Sequence, residues 1–456
     1  MHNDLLKNIH RIHFIGIGGS GMRPLAEILH SRGFSLSGSD NNESDNLARI
    51  RALGIPVYMG HDARNIQGAD MVVYTIAVGN DNPEKVAAEA ANIPLIERAQ
   101  LLGWISRQYA KTVAVAGTHG KTSTSSMLSQ VLLEAGKDPS VFIGGRLPLI
   151  NANGRSGNSD IMVCEACEFQ DHYQAMAPAI SILLNVDADH LDYFGTLENV
   201  IKSFAAFSAK TTQKVIYNKE DANTIKAIAD LPQEMCISYG FSSGCNWYAQ
   251  NLRTENGAYG VYDLWHDGTF VTEIHLGVPG EHNVSNSLAV AAAASLCGVS
   301  PAEIATGIAH FKGAGRRFEF VGEANGVTFV DDYAHHPTEI AATVSTAKKM
   351  PYNRIWAIFQ PFTFSRTARH LDEFADALRL ADEVVVSDIM GSREKNEWNV
   401  HSTGITDQIE GAHYLATFPE IAEFVSNHVK PGDMVLTMGG GDIYKCARLT
   451  LEKCKK

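Results

Sequence analysis

No apolar run in this 456-residue chain is long enough to cross a bilayer. The longest small-apolar stretch, "SLAVAAAASLCGV", falls well short of the roughly 20 residues a spanning helix needs and reads as a buried helix. Basic charge is scarce too: 38 Lys and Arg against 51 Asp and Glu leave a formal net charge of −13. A general nucleic-acid binder would display a basic face, so that class is excluded. Any phosphate ligand must then be met locally, by lysine, arginine, metal and backbone N–H groups. Seven cysteines, an odd number spread through the chain, argue against a disulfide framework. Cys164 and Cys167 form a C-x-x-C, but no second pair at zinc spacing follows, and the pair reads as incidental thiols. There is no low-complexity tract and no repeat of about 20–50 residues. The N-terminal "MHNDLLKNIHRIHF" mixes charge and amides into its apolar residues and offers no signal-peptide core. What remains is the composition of a soluble globular protein, 45% hydrophobic and 20% charged, expected in the cytoplasm. At about 150 residues per domain, its length suggests three domains.

Against that background, residues 113–128, "VAVAGTHGKTSTSSML", stand out. An apolar strand runs into a glycine turn, a lysine and a cluster of hydroxyls. Gly117 and Gly120 let backbone N–H groups turn inward, a helix from about Lys121 points its positive end at the loop, and Lys121 adds a full charge. Together these make an anion cradle spanning Gly117, Thr118, His119, Gly120, Lys121, Thr122 and Ser123. The strict P-loop pattern fails because Val115 stands five residues before Gly120, so this is a variant loop. Thr122 occupies the position of a Mg²⁺-ligating hydroxyl.

The sequence divides into three α/β segments, 1–109, 110–315 and 316–456. The first opens with "IHFIGIGGSGM", a G-x-G-x-x-G at Gly16, Gly18 and Gly21 with Gly19 between, and its second strand ends in Asp40. Alone, that fingerprint predicts a nicotinamide dehydrogenase. Its physics, a pyrophosphate at a helix N-terminus with a ribose-like hydroxyl nearby, suits a UDP-sugar equally well. In the second segment, "DIMVCEACE" runs into Glu165 and "ISILLNVDADHLDYFG" into Asn185, Asp189 and His190. Strand ends of this kind collect at the ligand crevice, where Glu165 and His190 are plausible metal ligands beside a triphosphate. "PGEHNVSN" sets His282, Asn283 and Asn286 at the mouth of a helix, suited to nucleotide contacts or to capping. The third segment carries "GRRFEF", "DDYAHHPTEI" and "QPFTFSRT", and supplies a substrate face.

In order and approximate spacing, "GTHGKTS", "NVDADHLDYFG", "PGEHNVSN", "RRFE" and "DDYAHHPTEI" resemble the muramyl (Mur) ligase family of ATP-dependent amide-bond-forming enzymes, across nearly the whole chain. The resemblance implies an N-terminal Rossmann-like domain for the UDP-sugar, a central P-loop ATPase-like parallel sheet for ATP, and a C-terminal Rossmann-like α/β domain for the amino acid. It further implies ATP and Mg²⁺ as cofactors, UDP-N-acetylmuramate and L-alanine as substrates, and neither nucleic acid nor membrane as partner. It matches Lys121 to the phosphates; Thr122, Glu165 and His190 to the metal; His282, Asn283, Asn286, Arg317 and Asp332 to ATP; and Tyr333, His335 and Arg366 to the substrate side. Lys121, His190, His335 and Arg366 are the expected catalytic groups. A relative attaching a preformed tripeptide to the same UDP-sugar is the alternative. Three departures from the family pattern are Cys167 in place of an acidic residue, Phe362 and Thr363 in place of histidine and arginine, and Phe204 where some relatives carry a carbamylated lysine.

Overall fold

The computed structural model describes residues 6–392 and 394–455, so the first five residues of the N-terminal stretch discussed above lie outside it. Three sheets carry the chain. The first holds β1 (Arg11–Ile15), β2 (Ser35–Asp40), β3 (Val57–Met59), β4 (Met71–Tyr74) and β5 (Leu95–Glu97), in the order β3-β2-β1-β4-β5 with every pairing parallel. Strand order reverses beside β1, which puts a crevice at its C-terminal end.

The second sheet comprises β6 (Lys111–Ala116), β7 (Ser140–Leu147), β8 (Ala152–Arg155), β9 (Ile161–Glu165), β10 (Ile180–Leu183), β11 (Lys214–Asn218), β12 (Cys236–Gly240), β13 (Trp247–Glu255), β14 (Tyr259–His266) and β15 (Thr269–Pro279). Its order is β15-β14-β13-β12-β11-β10-β6-β9-β7-β8. β6 is buried along all but its first residue, as a central parallel strand covered on both faces must be. Register then dictates function: Val115 pairs with Glu165 and Ala116 with Leu183, so the glycine loop after β6 emerges between the ends of β9 and β10. The edge strand β8 runs antiparallel to β7. Phe204 is fully buried, its ring edge-on to Tyr173 at 5.4 Å.

The third sheet has β16 (Glu319–Ala324), β17 (Val327–Asp332), β18 (Ile355–Phe359), β19 (Glu383–Val386), β20 (His413–Tyr414) and β21 (Met434–Met438), ordered β16-β17-β21-β18-β19-β20, with only the edge strand β16 antiparallel to its neighbour. Asp332 and Phe359 both pair with Met438. The "DDYAHHP", "QPF" and "GGG" loops therefore leave the sheet side by side. By contact density the chain forms two compact units, Met1–Gln250 with Asp263–Thr272 and Ser285–His310, and Asn251–Tyr262 with Glu273–Val284 and Phe311–Lys456. Among the described residues no helix is long and apolar enough to cross a membrane.

One close approach ties the first sheet to its glycine loop. A Cβ on Gly38 would stand 2.6 Å from Cβ of Ile17, which is fully buried. Gly38→Ala is expected to destabilise the chain by about 1–3 kcal/mol through overpacking, seen as a lower urea midpoint at unchanged slope.

Candidate active site

Lys121 opens the helix Lys121–Glu134, and Gly120 before it is left-handed at φ 84. The ammonium bonds to the carbonyls of Gly117 (2.6 Å) and Thr118 (3.0 Å) and lies 3.0 and 2.9 Å from the two carboxylate oxygens of Glu168. Burial alone would depress its pKa, but the carboxylates of Glu168 and Glu165 more than offset that, and the group is held cationic. Thr122 donates its hydroxyl to Glu165 Oε2 at 2.9 Å, and Gly144 N–H reaches the same oxygen at 2.8 Å. The structure therefore brings Lys121, Thr122 and Glu165 together, as their strand and helix ends require. Glu168 completes the group. Its place three residues after Glu165 was the available signal, although nothing in the pattern named its partner.

The loop itself is clamped from β10. Asn185 accepts His119 N–H (2.8 Å), donates to His119 O (3.1 Å), and takes Thr118 N–H on its backbone carbonyl (3.0 Å). Thr118 Oγ1 in turn accepts Asp187 N–H at 2.9 Å. A Cβ on Gly120 would come 3.1 Å from Asn286 Oδ1, so Asn286 stands at the loop. His190 adopts a left-handed backbone, φ 52, and its ring lies edge-on to Phe169 at 5.1 Å. Ser123 sits half-buried in the first turn of the helix. The thiol of Cys167 is pushed up to about 11 by burial and then by Glu168, so it stays protonated. All seven cysteines are free.

In the first sheet the glycine loop hangs from β2. Gly16 and Ile17 donate to the Ser39 carbonyl at 2.8 and 3.1 Å, and Gly18 donates to Asp40 Oδ2 at 3.0 Å. Asp40 Oδ1 accepts Asn42 N–H. The acidic residue of the fingerprint thus braces the loop. Gly18 leaves no room for a side chain, since a Cβ would meet Leu47 at 2.8 Å and Asp40 at 2.9 Å; one on Gly21 would approach Arg98 at 3.2 Å. Gly19 N–H closes a tight turn onto the Gly16 carbonyl at 3.1 Å.

In the third sheet two left-handed residues, Arg316 (φ 59) and Phe318 (φ 49), flank Arg317. Arg316 is consumed by structure, bonding to Asp331 (2.8 Å) and to the carbonyls of Gly441 (2.7 Å) and Gly439 (2.8 Å). The Arg317 guanidinium lies 5.2 Å over the Tyr333 ring, while its backbone N–H bonds to Ala314 O at 3.0 Å. Asp332 accepts N–H groups from Phe318 and Ala334 at 2.7 Å each, yet burial, against the pull of Arg317, raises its carboxyl to about 6. His335 Nδ1 donates to the Tyr333 carbonyl at 2.9 Å, which leaves Nε2 as the acceptor of the neutral ring. Arg366 is half-buried on the short helix Phe364–Arg369, whose first turn is pinned by Ser365 to Glu394. His282 is exposed on the first turn of its helix, and the buried Asn283 beside it donates to Pro279 O at 2.7 Å.

These strand ends can be set against known proteins. Residues 11–110 match the Mur ligase family, catalytic domain; 115–294 the Mur ligase middle domain; and 316–441 the Mur ligase, glutamate ligase domain. A UDP-N-acetylmuramate–L-alanine ligase of Agathobacter rectalis is 44% identical over 457 residues, covering 99% of each chain. One from Caldanaerobacter subterraneus is 41% identical, again over 99% of both. The crystal structure of the UDP-N-acetylmuramate-alanine ligase of Thermotoga maritima superposes with a TM-score of 0.81 at 31% identity, covering 97% of this chain and 98% of that one. A murein peptide ligase from Psychrobacter arcticus gives 0.72 at 25% identity, over 98% and 99%. With all three domains matched in order and relatives this similar along the full length, the chain belongs to the Mur ligase family of ATP-dependent ligases.

Proposed function

We propose that this chain joins L-alanine to the lactyl carboxylate of UDP-N-acetylmuramate, with hydrolysis of ATP, in peptidoglycan precursor synthesis in the cytoplasm. One observation carries the reading: a cationic Lys121 at a helix N-terminus, one residue from the Thr122–Glu165 pair. That is equipment for phosphoryl transfer, and a hydride-transferring enzyme has no use for it. Similarity at 40–44% identity to proteins named for L-alanine favours that amino acid over a preformed tripeptide.

A carboxylate and an amine do not condense in water, because the carboxylate is a poor electrophile and hydroxide a poor leaving group. Phosphorylation of the carboxylate removes both obstacles. In this reading the loop amides from Gly117 to Ser123 and the Lys121 ammonium hold the β- and γ-phosphates. Thr122 and Glu165 offer hard oxygen ligands of the kind Mg²⁺ takes, and we assign them, with His190, to hold it. When bound, the ion neutralises charge on the phosphate oxygens. His282, Asn283, Asn286, Arg317 and Asp332 are assigned to the rest of ATP, and Gly16, Gly18, Gly19, Gly21 and Asp40 to the UDP-sugar. The lactyl carboxylate attacks the γ-phosphorus, ADP leaves, the amine attacks the acyl phosphate carbon, and phosphate departs. His335, with a free Nε2 lone pair, is suited to take the amine proton. Arg366 is suited to grip the amino-acid carboxylate in a two-point fork.

Three measurements follow from these assignments. Lys121→Ala should lower phosphate release by about 10³-fold or more, since it removes charge aimed at the transferring group. It should also cost stability of about 1–3 kcal/mol, because the buried Glu168 loses its partner. Lys121→Ala/Glu168→Gln should recover that stability and none of the activity. Near-normal turnover in Lys121→Ala would end the phosphate assignment.

Arg366→Lys should raise the KM for L-alanine by about ten- to a hundredfold while the KM for ATP holds, because an ammonium cannot reproduce the planar fork. If KM is unaltered there and rises in His335→Ala, the grip belongs to the "DDYAHHP" loop.

The raised carboxyl of Asp332 sets a pH limb. Its charge is half formed at about 6, nearly complete at neutral pH, and lost as the pH falls through that value. Accordingly, kcat/KM for ATP should be flat at neutral pH and decline below about 6. Asp332→Asn should lower the plateau and remove this limb from the profile.

A further inference from the structure

The edge hairpin of the second sheet reaches the glycine loop of the first. Phe142 on β7 pairs with Gly154 on β8, and Leu147 with Ala152, so the ladder breaks between them and residues 143–146 stand against the single residue Asn153. The bulge carries Gly144 to the Thr122–Glu165 pair. A Cβ on Gly144 would lie 2.5 Å from Glu165 Oε2 and 2.6 Å from Thr122 Oγ1, and the bare residue brings its N–H to that carboxylate at 2.8 Å. On its other side β8 is covered by the helix Arg23–Ser31, which starts just after Gly21: a Cβ on Gly154 would stand 2.5 Å from that of Pro24. All of these residues belong to one compact unit.

The Asn153 side chain lies between the two loops, and counting protons fixes which way it faces. Arg23, only 2% exposed, donates from one terminal nitrogen to Glu27 and from the other to Asn153 Oδ1. A guanidinium never accepts, so Oδ1 must face it and the amide nitrogen must face away. That nitrogen has two protons and meets two carbonyls, Ser20 O in the glycine loop at 2.7 Å and Ile143 O at 3.4 Å. Ile143 O shares its peptide group with Gly144 N–H, the donor to Glu165, and Ser20 O shares its own with the N–H of Gly21. Donation to a peptide oxygen polarises the N–H across it. One amide therefore acts on both loops at once.

Phosphoryl transfer requires the carboxylate of one substrate to lie in line with the γ-phosphorus of the other, and the two substrates are assigned to different sheets. A misplacement of about 1 Å between bound reactants costs on the order of 10²-fold in rate. We propose that Asn153, oriented by the buried Arg23, is a positioning residue that ties the UDP-sugar loop to the Thr122–Glu165 pair and so sets the alignment of the two substrates. It acts through Ser20 and Gly144, not on a substrate. The proposal rests on the assignment of the UDP-sugar to the first domain and of ATP to the second.

Asn153→Asp is the test, because a carboxylate keeps the shape and still accepts from Arg23 but has no proton for either carbonyl. In phosphate release from UDP-N-acetylmuramate, L-alanine and Mg-ATP, kcat should fall by about ten- to a hundredfold. The KM values for ATP and the UDP-sugar should stay within about threefold of wild type. Amide hydrogen exchange of the metal-free, substrate-free chain reads the relay without turnover: Gly144 N–H should exchange at least about tenfold faster in Asn153→Asp. Arg23→Met, which frees the amide to turn over, should lower kcat in the same way, and it decides the matter should Asn153→Asp fail to fold. Ser31→Ala is the control for loosened packing alone. It removes the 2.7 Å hydrogen bond from the far end of the same helix to Ser156, and kcat there should hold within about twofold. An unchanged kcat in the folded variants, unchanged exchange at Gly144, a loss carried by KM instead of kcat, or an equal loss in Ser31→Ala overturns the proposal. Wild type that releases no phosphate from these substrates ends the functional reading itself, whereas normal wild-type turnover with unaltered variants removes only the role of Asn153.

Discussion

A full positive charge buried at the head of the helix Lys121–Glu134 is the constraint around which the central domain is arranged. Its three protons meet the carbonyls of Gly117 and Thr118 and the carboxylate of Glu168. Those carbonyls face inward only because Gly117 and Gly120 take φ of 146 and 84, which a side chain would resist. Such a pair does not hold a fold together. An exposed Lys–Glu pair contributes about 0–1 kcal/mol, and a buried one is often no better than apolar residues of the same volume, since desolvation offsets the attraction. An apolar pair would pack this turn equally well. The charge is kept for what it can meet outside the chain, and Glu168 keeps it tolerable until then.

The other two sheets solve the same problem with different charges. A glycine-rich loop at a strand end must offer its N–H groups outward, so something behind it has to hold its remaining polar groups still. In the first sheet the brace is the Ser39 carbonyl and the Asp40 carboxylate, backed by Glu84. In the third it is Arg316, spread across Asp331, Gly439 and Gly441 and sandwiched between Tyr333 and Tyr444. In the first and third sheets the strand-end loop is therefore backed by an ion, Glu84 or Arg316, that the assignments leave free of any ligand. A chain with a net charge of −13 that handles polyphosphates depends on this separation. The bracing ions are paired internally, and the cationic groups left over are few and local.

Motif order and the three α/β segments were legible in the sequence because strand–glycine–helix units carry a strong local signature. β6 into Gly117, β9 into Glu165 and β17 into Asp332 all fall where the apolar runs end. Sheet order was not legible. That β6 lies between β9 and β10 is a property of register, and it alone explains why Lys121, Glu165 and Asn185 converge. Partners separated by tens of residues were equally hidden. "RRFE" does not say that Arg316 is spent on the third sheet while Arg317 stacks on Tyr333. Nor does the glycine fingerprint say that the Asp40 carboxylate also holds Gly18. Arg23 and Asn153 have no motif at all, being joined only by the packing of the helix Arg23–Ser31 against β8.

Thr363 shows where local pattern and tertiary demand collide. A β-branched residue at φ 67 and ψ 142 stands in a region that glycine fills without cost, and holding it there takes about 1–3 kcal/mol. The structure supplies the restraint: Thr363 N–H bonds to Met390 O, Thr367 Oγ1 to Thr363 O, and Ser365 to Glu394. Its neighbour Phe362 packs its ring 6.3 Å from that of His335 and beneath Gly440, where a Cβ would stand 3.1 Å from Phe362 Cγ. The two residues that depart from the family pattern are thus one feature. The Phe362 ring packs beside His335, and the strained residue after it caps the helix Phe364–Arg369 that carries Arg366. Strain of this size persists only where the surroundings overdetermine it, as the bonds from Met390, Thr367 and Glu394 do here.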